Sequence, residues 1–304
     1  MKSIEYQTSL FRGQPDDEAI KQIRFYEPLA LELDPRGYCV CTSEGKDSRV
    51  LGHLFRRAGV QHWYLHSVTG IDPPELVYFQ RRNFQNYRDE GYLAMESMYG
   101  KSMWRLMAEK KFPPLRMIRY CCSELKEKRS PWQSNCLMSF GVRKKESAGR
   151  AKNRDELEIA AHGRRGKNII MPFDDDENRR IFEVCYRDYE KRLNPIVSWS
   201  SEDIWNYSRD ARLEQCSLYQ EGFERLGCVG CTMARETGRK MEFARWPKFE
   251  ALYLRAFEKM LEIRKAQNMT ILDHAATPRQ WFDWWLSEKT QETVDEDQLN
   301  LWDI

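Results

Sequence analysis

The residues of this chain best suited to chemistry fall into two groups. The first is Ser43-Glu44-Gly45-Lys46-Asp47-Ser48. Its glycine allows a tight turn, and its two serines and lysine offer hydroxyl donors and a positive charge. A helix starting there would add unpaired N–H groups and the positive end of its dipole. Such a loop suits an anion, above all a phosphate. The second group is an adjacent pair, Cys121-Cys122, joined far along the chain by Cys228-Val229-Gly230-Cys231. Two thiolates on one tight loop and two from elsewhere close a four-coordinate site that suits zinc or an iron–sulfur cluster; unliganded thiols are the third reading. Arg143 and Arg150 add forked guanidinium groups that can grip phosphate or sulfate. They lie in a Lys- and Arg-rich stretch, 143–154, which also reads as a solvated face.

Elements must place these groups. Residues 37–41 (GYCVC) are apolar and β-prone, which predicts a buried strand ending at the loop. Val50, Leu51, Leu54 and Phe55 then repeat at helical spacing. Residues 62–68 (HWYLHSV) predict a second strand, followed by Thr69-Gly70-Ile71-Asp72-Pro73-Pro74-Glu75 and a helical pattern over 76–92. Strand, loop, helix and strand make a βαβ unit, with ligand sites at the C-terminal ends of the strands. Residues 135–142 predict a third strand, 168–173 form a further apolar run, and the acids at 174–177 suit a helix start. Beyond Pro195 the chain turns helix-rich, and Trp281, Trp284 and Trp285 have the spacing of a packed terminal helix. The expected fold class is α/β: a parallel, doubly wound sheet flanked by helices, with a helix-rich C-terminal part.

With 304 residues, 41% hydrophobic and 32% charged, the chain can bury a substantial core and stay soluble. A net charge of +2 selects no partner. No run approaches the length of a membrane span, and the first residues lack the apolar core of a signal peptide, so a cytoplasmic location is expected. Nine cysteines, an odd number, speak against a complete disulfide framework and for metal or redox chemistry. Cys39, Cys41, Cys136, Cys185 and Cys216 read as core or surface residues.

The order Ser-x-Gly-Lys-Asp-Ser resembles the PP-loop of the ATP pyrophosphatases and of the PAPS (phosphoadenosine phosphosulfate) reductases. The more general family loop has a second glycine where this chain has Glu44. A Walker A loop is excluded, because Val40 stands where that motif needs its first glycine. Thr69-Gly70-Ile71 with Pro74-Glu75 resembles the family's TG loop, and Gly141, Arg143, Glu146, Ser147 and Arg150 match its G-x-R-x-x-E-S-x-x-R block. Pro195-Ile196 with Trp199, Asp203, Ile204 and Trp205 is similar to a third block, and Leu218-Tyr219, Gly222 and Arg225 to Cys228 to a fourth. The Cys-Cys…Cys-x-x-Cys arrangement, with Lys126 shortly after the pair, looks like the [4Fe–4S] site of adenylylsulfate (APS) reductases and of some PP-loop sulfur-transfer proteins.

The resemblance implies a nucleotide-binding α/β domain over 1–235 that carries the iron–sulfur site, and a helical extension over 236–304. Ser43, Gly45, Lys46 and Ser48 would hold the phosphates of ATP, or of APS or PAPS, with Thr69, Gly70 and Gly141 completing the nucleotide site. Asp47 would orient the loop or help to place Mg²⁺, and Arg143, Glu146 and Arg150 would position the substrate or α-phosphate. Lys46, Asp47, Arg143 and Arg150 would carry catalysis, and Cys121, Cys122, Cys228 and Cys231 would hold a [4Fe–4S] cluster. Assimilatory reductases attack sulfur with a tail cysteine in an E-C-G-L-H context, and no cysteine follows Cys231 here. The expectation therefore moves to adenylation with pyrophosphate release in sulfur transfer, as in the DndC-like proteins that serve DNA phosphorothioation. APS or PAPS reduction to sulfite, and a nucleotide- or redox-sensing protein without turnover, are the alternatives. The implied partners are an adenine nucleotide, a sulfur-donor protein such as a cysteine desulfurase, and a nucleic-acid acceptor, with no membrane.

Overall fold

Tyr38, Cys39 and Val40 are fully buried, and the strand they form lies inside a seven-stranded sheet, between two parallel neighbours. The computed structural model describes residues 15–126, 135–146, 154–160, 168–171 and 190–287. Ser147, Arg150, His162, Cys185 and the acids at 174–177 lie outside them. The strands are β1 (Tyr38–Cys41), β2 (His62–Val68), β3 (Ala94–Met98), β4 (Leu137–Ser139), β5 (Leu157–Ala160), β6 (Asn168–Met171) and β7 (Glu190–Leu193), in the order β3-β2-β1-β4-β7-β5-β6. β1 runs parallel to β2, with Val40 opposite Tyr64, and parallel to β4, with Val40 opposite Ser139. β4 runs parallel to β7. The α/β fold with a mostly parallel sheet is the one expected. β5 departs from it, pairing antiparallel with both β6 and β7.

The helices are α1 (Pro15–Phe25), α2 (Glu27–Leu33), α3 (Lys46–Ala58), α4 (Pro74–Asp89), α5 (Met103–Lys110), α6 (Tyr120–Leu125), α7 (Ser201–Asp210), α8 (Glu236–Arg245), α9 (Pro247–Ala266) and α10 (Pro278–Leu286). Contacts divide the chain into two units interleaved in sequence. One takes its described residues from 1–66, 80–95 and 130–216, the other from 67–79, 96–129 and 217–304. Residue 235, the boundary expected from sequence, thus falls inside the second unit.

In the first unit Val50, Leu51, Leu54 and Phe55 of α3 are all fully buried, as their spacing requires, and α3 packs on β1, α1 and α7. Gly59 ends α3 in the left-handed region at φ 71°, where a β-carbon would be strained. α7 starts at a capping box in which Ser200 and Asp203 satisfy each other's backbone N–H groups. The second unit is built from helices around an aromatic core of Phe243, Tyr253, Phe257, Trp281, Phe282 and Trp285. Trp281 and Trp285 of α10 are fully buried, and Trp284 stacks on His274 at 4.2 Å. The terminal tryptophans therefore pack a helix, as expected. No helix among the described residues is long and apolar enough to cross a membrane.

Candidate functional site

The first unit delivers the loop 42–48 from the C-terminal end of β1 to the first turn of α3. Thr42 anchors it: its N–H donates to Leu65 O at 2.9 Å, and its carbonyl accepts from the His66 ring at 2.9 Å. Gly45 is the N-cap of α3 and, with φ at −73°, is extended; no side chain caps the helix. The first-turn N–H groups, which no intrahelical carbonyl can reach, thus keep their anion-attracting character. Ser48 closes the loop from within, accepting from the Ser43 N–H at 3.3 Å and donating to Gly45 O at 3.0 Å. Ser43 is exposed and leaves its hydroxyl at the loop surface.

The left-handed residue of the loop is Glu44, at φ 55°, not Gly45. Its side chain is fully buried. One carboxylate oxygen accepts from Thr42 Oγ1 at 2.8 Å, the other lies 3.3 Å from Arg49 Nη1, and the Tyr87 hydroxyl lies within 3.4 Å of both. Arg49 Nη1 also donates to Tyr87 Oη at 2.7 Å. This network ties the loop to α3 and α4. Sequence reasoning missed it because a buried carboxylate and its arginine partner look like ordinary surface charges in a linear chain.

Asp47 and Arg143 meet directly, with Arg143 Nε 2.7 Å from Asp47 Oδ1. The second Asp47 oxygen lies 3.4 Å from Lys46 Nζ. Arg143 is buried and also donates to Ser201 Oγ at 3.2 Å, with Glu146 Oε1 3.8 Å away. Its guanidinium therefore fixes the loop through Asp47. Gly141 lies against the loop backbone, since a β-carbon there would stand 3.2 Å from both Asp47 C and Ser48 N. Ser43, Gly45, Lys46, Asp47, Ser48, Gly141, Arg143 and Glu146 all belong to this unit, and Arg150 falls outside the described residues.

The second unit holds the four expected cysteines, each half-buried. Cys121 hydrogen-bonds Cys122 and feels the charge of Cys228 and Cys231; the bond to Cys122, then burial, raises its thiol well above the usual range. Burial pushes Cys228 up to about 11, with the Lys126 ammonium pulling the other way. Lys126 hydrogen-bonds Cys228 and faces Asp72. No three His, Cys, Asp or Glu side chains among the described residues close on a single-ion position. Thr69, expected to serve the nucleotide, makes two contacts in this unit: its hydroxyl donates to Asp72 Oδ2 at 2.6 Å and accepts from the Cys228 thiol at 3.6 Å. Gly70 follows it in the left-handed region at φ 75°.

Residues 37–234 match the model of the phosphoadenosine phosphosulfate reductase domain. The chain belongs to this family. Among its relatives is an adenosine 5′-phosphosulfate reductase of Allochromatium vinosum, 30% identical over 56 residues, which are 18% of this chain and 22% of the relative. An uncharacterized protein of Methanocaldococcus jannaschii is 26% identical over 234 residues, 72% of this chain and 42% of its own length. The chain thus spans less than half the length of either relative. A solved phosphoadenylyl-sulfate reductase from Candida auris, in a phosphate complex, superposes with a TM-score of 0.43 at 12% identity, covering 74% of this chain and 99% of that one.

Within this reductase-domain family member the matched blocks divide between the two units. The loop, Gly141 and Arg143 lie in the first, and the TG turn and C-x-x-C in the second. Among the other described thiols, Cys39, Cys136 and Cys216 are buried core residues, and half-buried Cys41 has its Sγ 3.9 Å from Cys39 Sγ.

Proposed function

We propose that this chain is an adenine-nucleotide-dependent enzyme of sulfur transfer. ATP would sit on the loop 43–48. An acceptor oxygen attacks the α-phosphorus, pyrophosphate leaves, and a sulfur nucleophile then displaces AMP from the activated position. The observation that carries this reading is the uncapped start of α3 behind Gly45, with Lys46 and the exposed Ser43 beside it. Backbone N–H groups and the ammonium would bind the β- and γ-phosphates. Arg143 and Gly141 would hold Asp47 and the first turn in register. Both oxygens of Asp47 face cations, Arg143 and Lys46, so this carboxylate does not fit a Mg²⁺ ligand, and no step is assigned to a protein-held magnesium.

Cys121, Cys122, Cys228 and Cys231 fit a [4Fe–4S] cluster by their donor chemistry: Cys121 lies within electrostatic reach of the other three thiols, and the Lys126 ammonium stands by Cys228 and Cys231 as counter-charge to an anionic centre. When bound, such a cluster supplies redox-active, Lewis-acidic iron. Thr69 and Asp72 would orient Cys228, and the helical core behind the C-x-x-C loop would hold its turn. The acceptor, including a nucleic acid, and a donor protein such as a cysteine desulfurase belong to the same proposal. A second reading, sulfite release from APS or PAPS, is favoured by the family match over 37–234.

Anaerobic, iron-replete protein incubated with Mg²⁺–ATP, and separately with APS and PAPS, separates the two. AMP and pyrophosphate from ATP support adenylation; sulfite from APS or PAPS with no ATP turnover overturns it. Lys46→Ala removes one charge-assisted phosphate contact and is expected to lower kcat/KM by roughly 30- to 100-fold, about 2–3 kcal/mol. Full activity in that variant would displace the nucleotide from this loop.

A further inference from the structure

The C-x-x-C turn is held along its backbone. The Val229 N–H donates to Ile71 O at 2.8 Å, and the Val229 carbonyl accepts from Tyr253 Oη at 2.9 Å. The Cys231 N–H turns back to Cys228 O at 3.2 Å. Gly230 is in the left-handed region at φ 73°. A β-carbon there would lie 2.8 Å from Phe243 Cζ and 3.1 Å from Trp285 Cη2, so only glycine fits. Its N–H donates to Glu242 Oε2 at 2.7 Å.

A carboxylate is a costly partner for that N–H. Glu242 is half-buried, and an uncharged amide would accept the same hydrogen bond without opposing desolvation. Arg225 and Arg239 are the cations that face it. The hydrogen bond accounts for an acceptor at this place; a carboxylate, unlike an amide, can also carry a charge there once ionised.

Resting on the cluster reading above, we infer that Glu242 is a positioning residue with two effects on the cysteine centre. Its oxygen holds the Gly230 N–H, and so the shape of the turn between Cys228 and Cys231. When ionised, its negative charge, on the carboxylate bonded to the residue that precedes Cys231, lowers the reduction potential of the anionic centre the thiols carry, because reduction adds a further electron beside it. The two effects are separable: Glu242→Gln keeps an acceptor and loses the charge, whereas Glu242→Ala loses both.

The test uses full-length protein reconstituted anaerobically with iron and sulfide, with iron content, release to a chelator and midpoint potential as readouts. The potential is read at about pH 8.5, above the value of about 7 to which burial raises Glu242. Glu242→Gln is expected to load as the wild type does and to shift to a more positive potential. Glu242→Ala is expected to release iron about tenfold faster. In metal-free protein, Glu242→Ala should also speed hydrogen exchange at the Gly230 amide by roughly tenfold, while Glu242→Gln should not. An unchanged potential in Glu242→Gln overturns the charge effect, and unchanged Gly230 exchange and iron release in Glu242→Ala overturn the brace. A wild-type chain that takes up no iron overturns the cluster reading and the charge effect with it, and the exchange rate then decides the brace alone.

Discussion

Glu44 holds a backbone conformation that costs an L-residue about 1–2 kcal/mol, at the position where related loops carry glycine. The buried network of Thr42, Arg49 and Tyr87 offsets that cost. Glycine alone would not restore the balance, because it would leave Arg49, itself buried, without its carboxylate. Glu44→Gly is therefore expected to destabilise the first unit by about 2–4 kcal/mol, the loss of a buried charge partner exceeding the relief of strain. Denaturant unfolding with and without nucleotide measures it, and a stabilised variant would show that the network contributes nothing. The glycine, lysine and serines were legible in the sequence as a loop between β1 and α3 suited to an anion. The division of labour among them was not: Ser48 closes the loop, Gly45 stands at the N-cap position and leaves the helix start uncapped, and the special backbone angle falls on Glu44. Those roles depend on dihedral angles and partners that residue types do not specify.

At the scale of elements, β1 and β4 bring two separate stretches of chain to one place, the loop after Cys41 and the Gly141–Arg143 turn. They meet through Gly141, whose missing β-carbon lets it lie on the backbone of Asp47 and Ser48. Backbone atoms cannot swing aside as a side chain can, so Gly141→Ala must displace the first turn of α3. The expected result is roughly a tenfold loss of nucleotide affinity, on the order of 1–2 kcal/mol, read by calorimetric titration with ATP. Unchanged affinity would show that the turn is not the binding element. β1, β2 and β4 were visible as apolar runs because parallel central strands are buried on both faces. β3 was not. Its sequence, AMESM, buries Ala94 but exposes Met98, and its place beside β2 comes from pairing alone. β5 and β7 escaped for a similar reason, since Glu158 and Lys191 are buried in the sheet, where polarity would have spoken against a strand.

At the scale of the molecule, the two units carry titrating groups of opposite effect. Burial lowers His53 and His62 in the first unit to about 4 each. Neutral histidine is thus the native form, and their contribution is present above the unfolded value of about 6.5 and lost as pH falls towards 4, on the order of 3 kcal/mol for each. Glu242 in the second unit is raised to about 7 by burial. Its contribution is complete below the unfolded value of about 4.3 and is lost as pH rises through 7. Hydrogen exchange at pH 5 and pH 8 should therefore show the first unit loosening in acid and the second in base. His53→Gln is expected to flatten the acid limb and Glu242→Gln the alkaline one. Equal pH dependence of both units would refute the assignment.

The phosphate loop and the C-x-x-C turn are made of residues adjacent in the chain, so local order was enough to determine that an anion and a thiolate ligand could be met there. The order of matched blocks was likewise enough for the family. Which groups share a unit is set by contacts across long spans: Thr69 reaches Cys228 over 159 positions, and Glu242 reaches back to Gly230 from the helix after it. Such contacts exist only once a hydrophobic core has brought the segments together. The tertiary structure alone therefore decided that the TG turn stands with the cysteines, that Arg143 braces Asp47, and that a carboxylate holds the turn between Cys228 and Cys231.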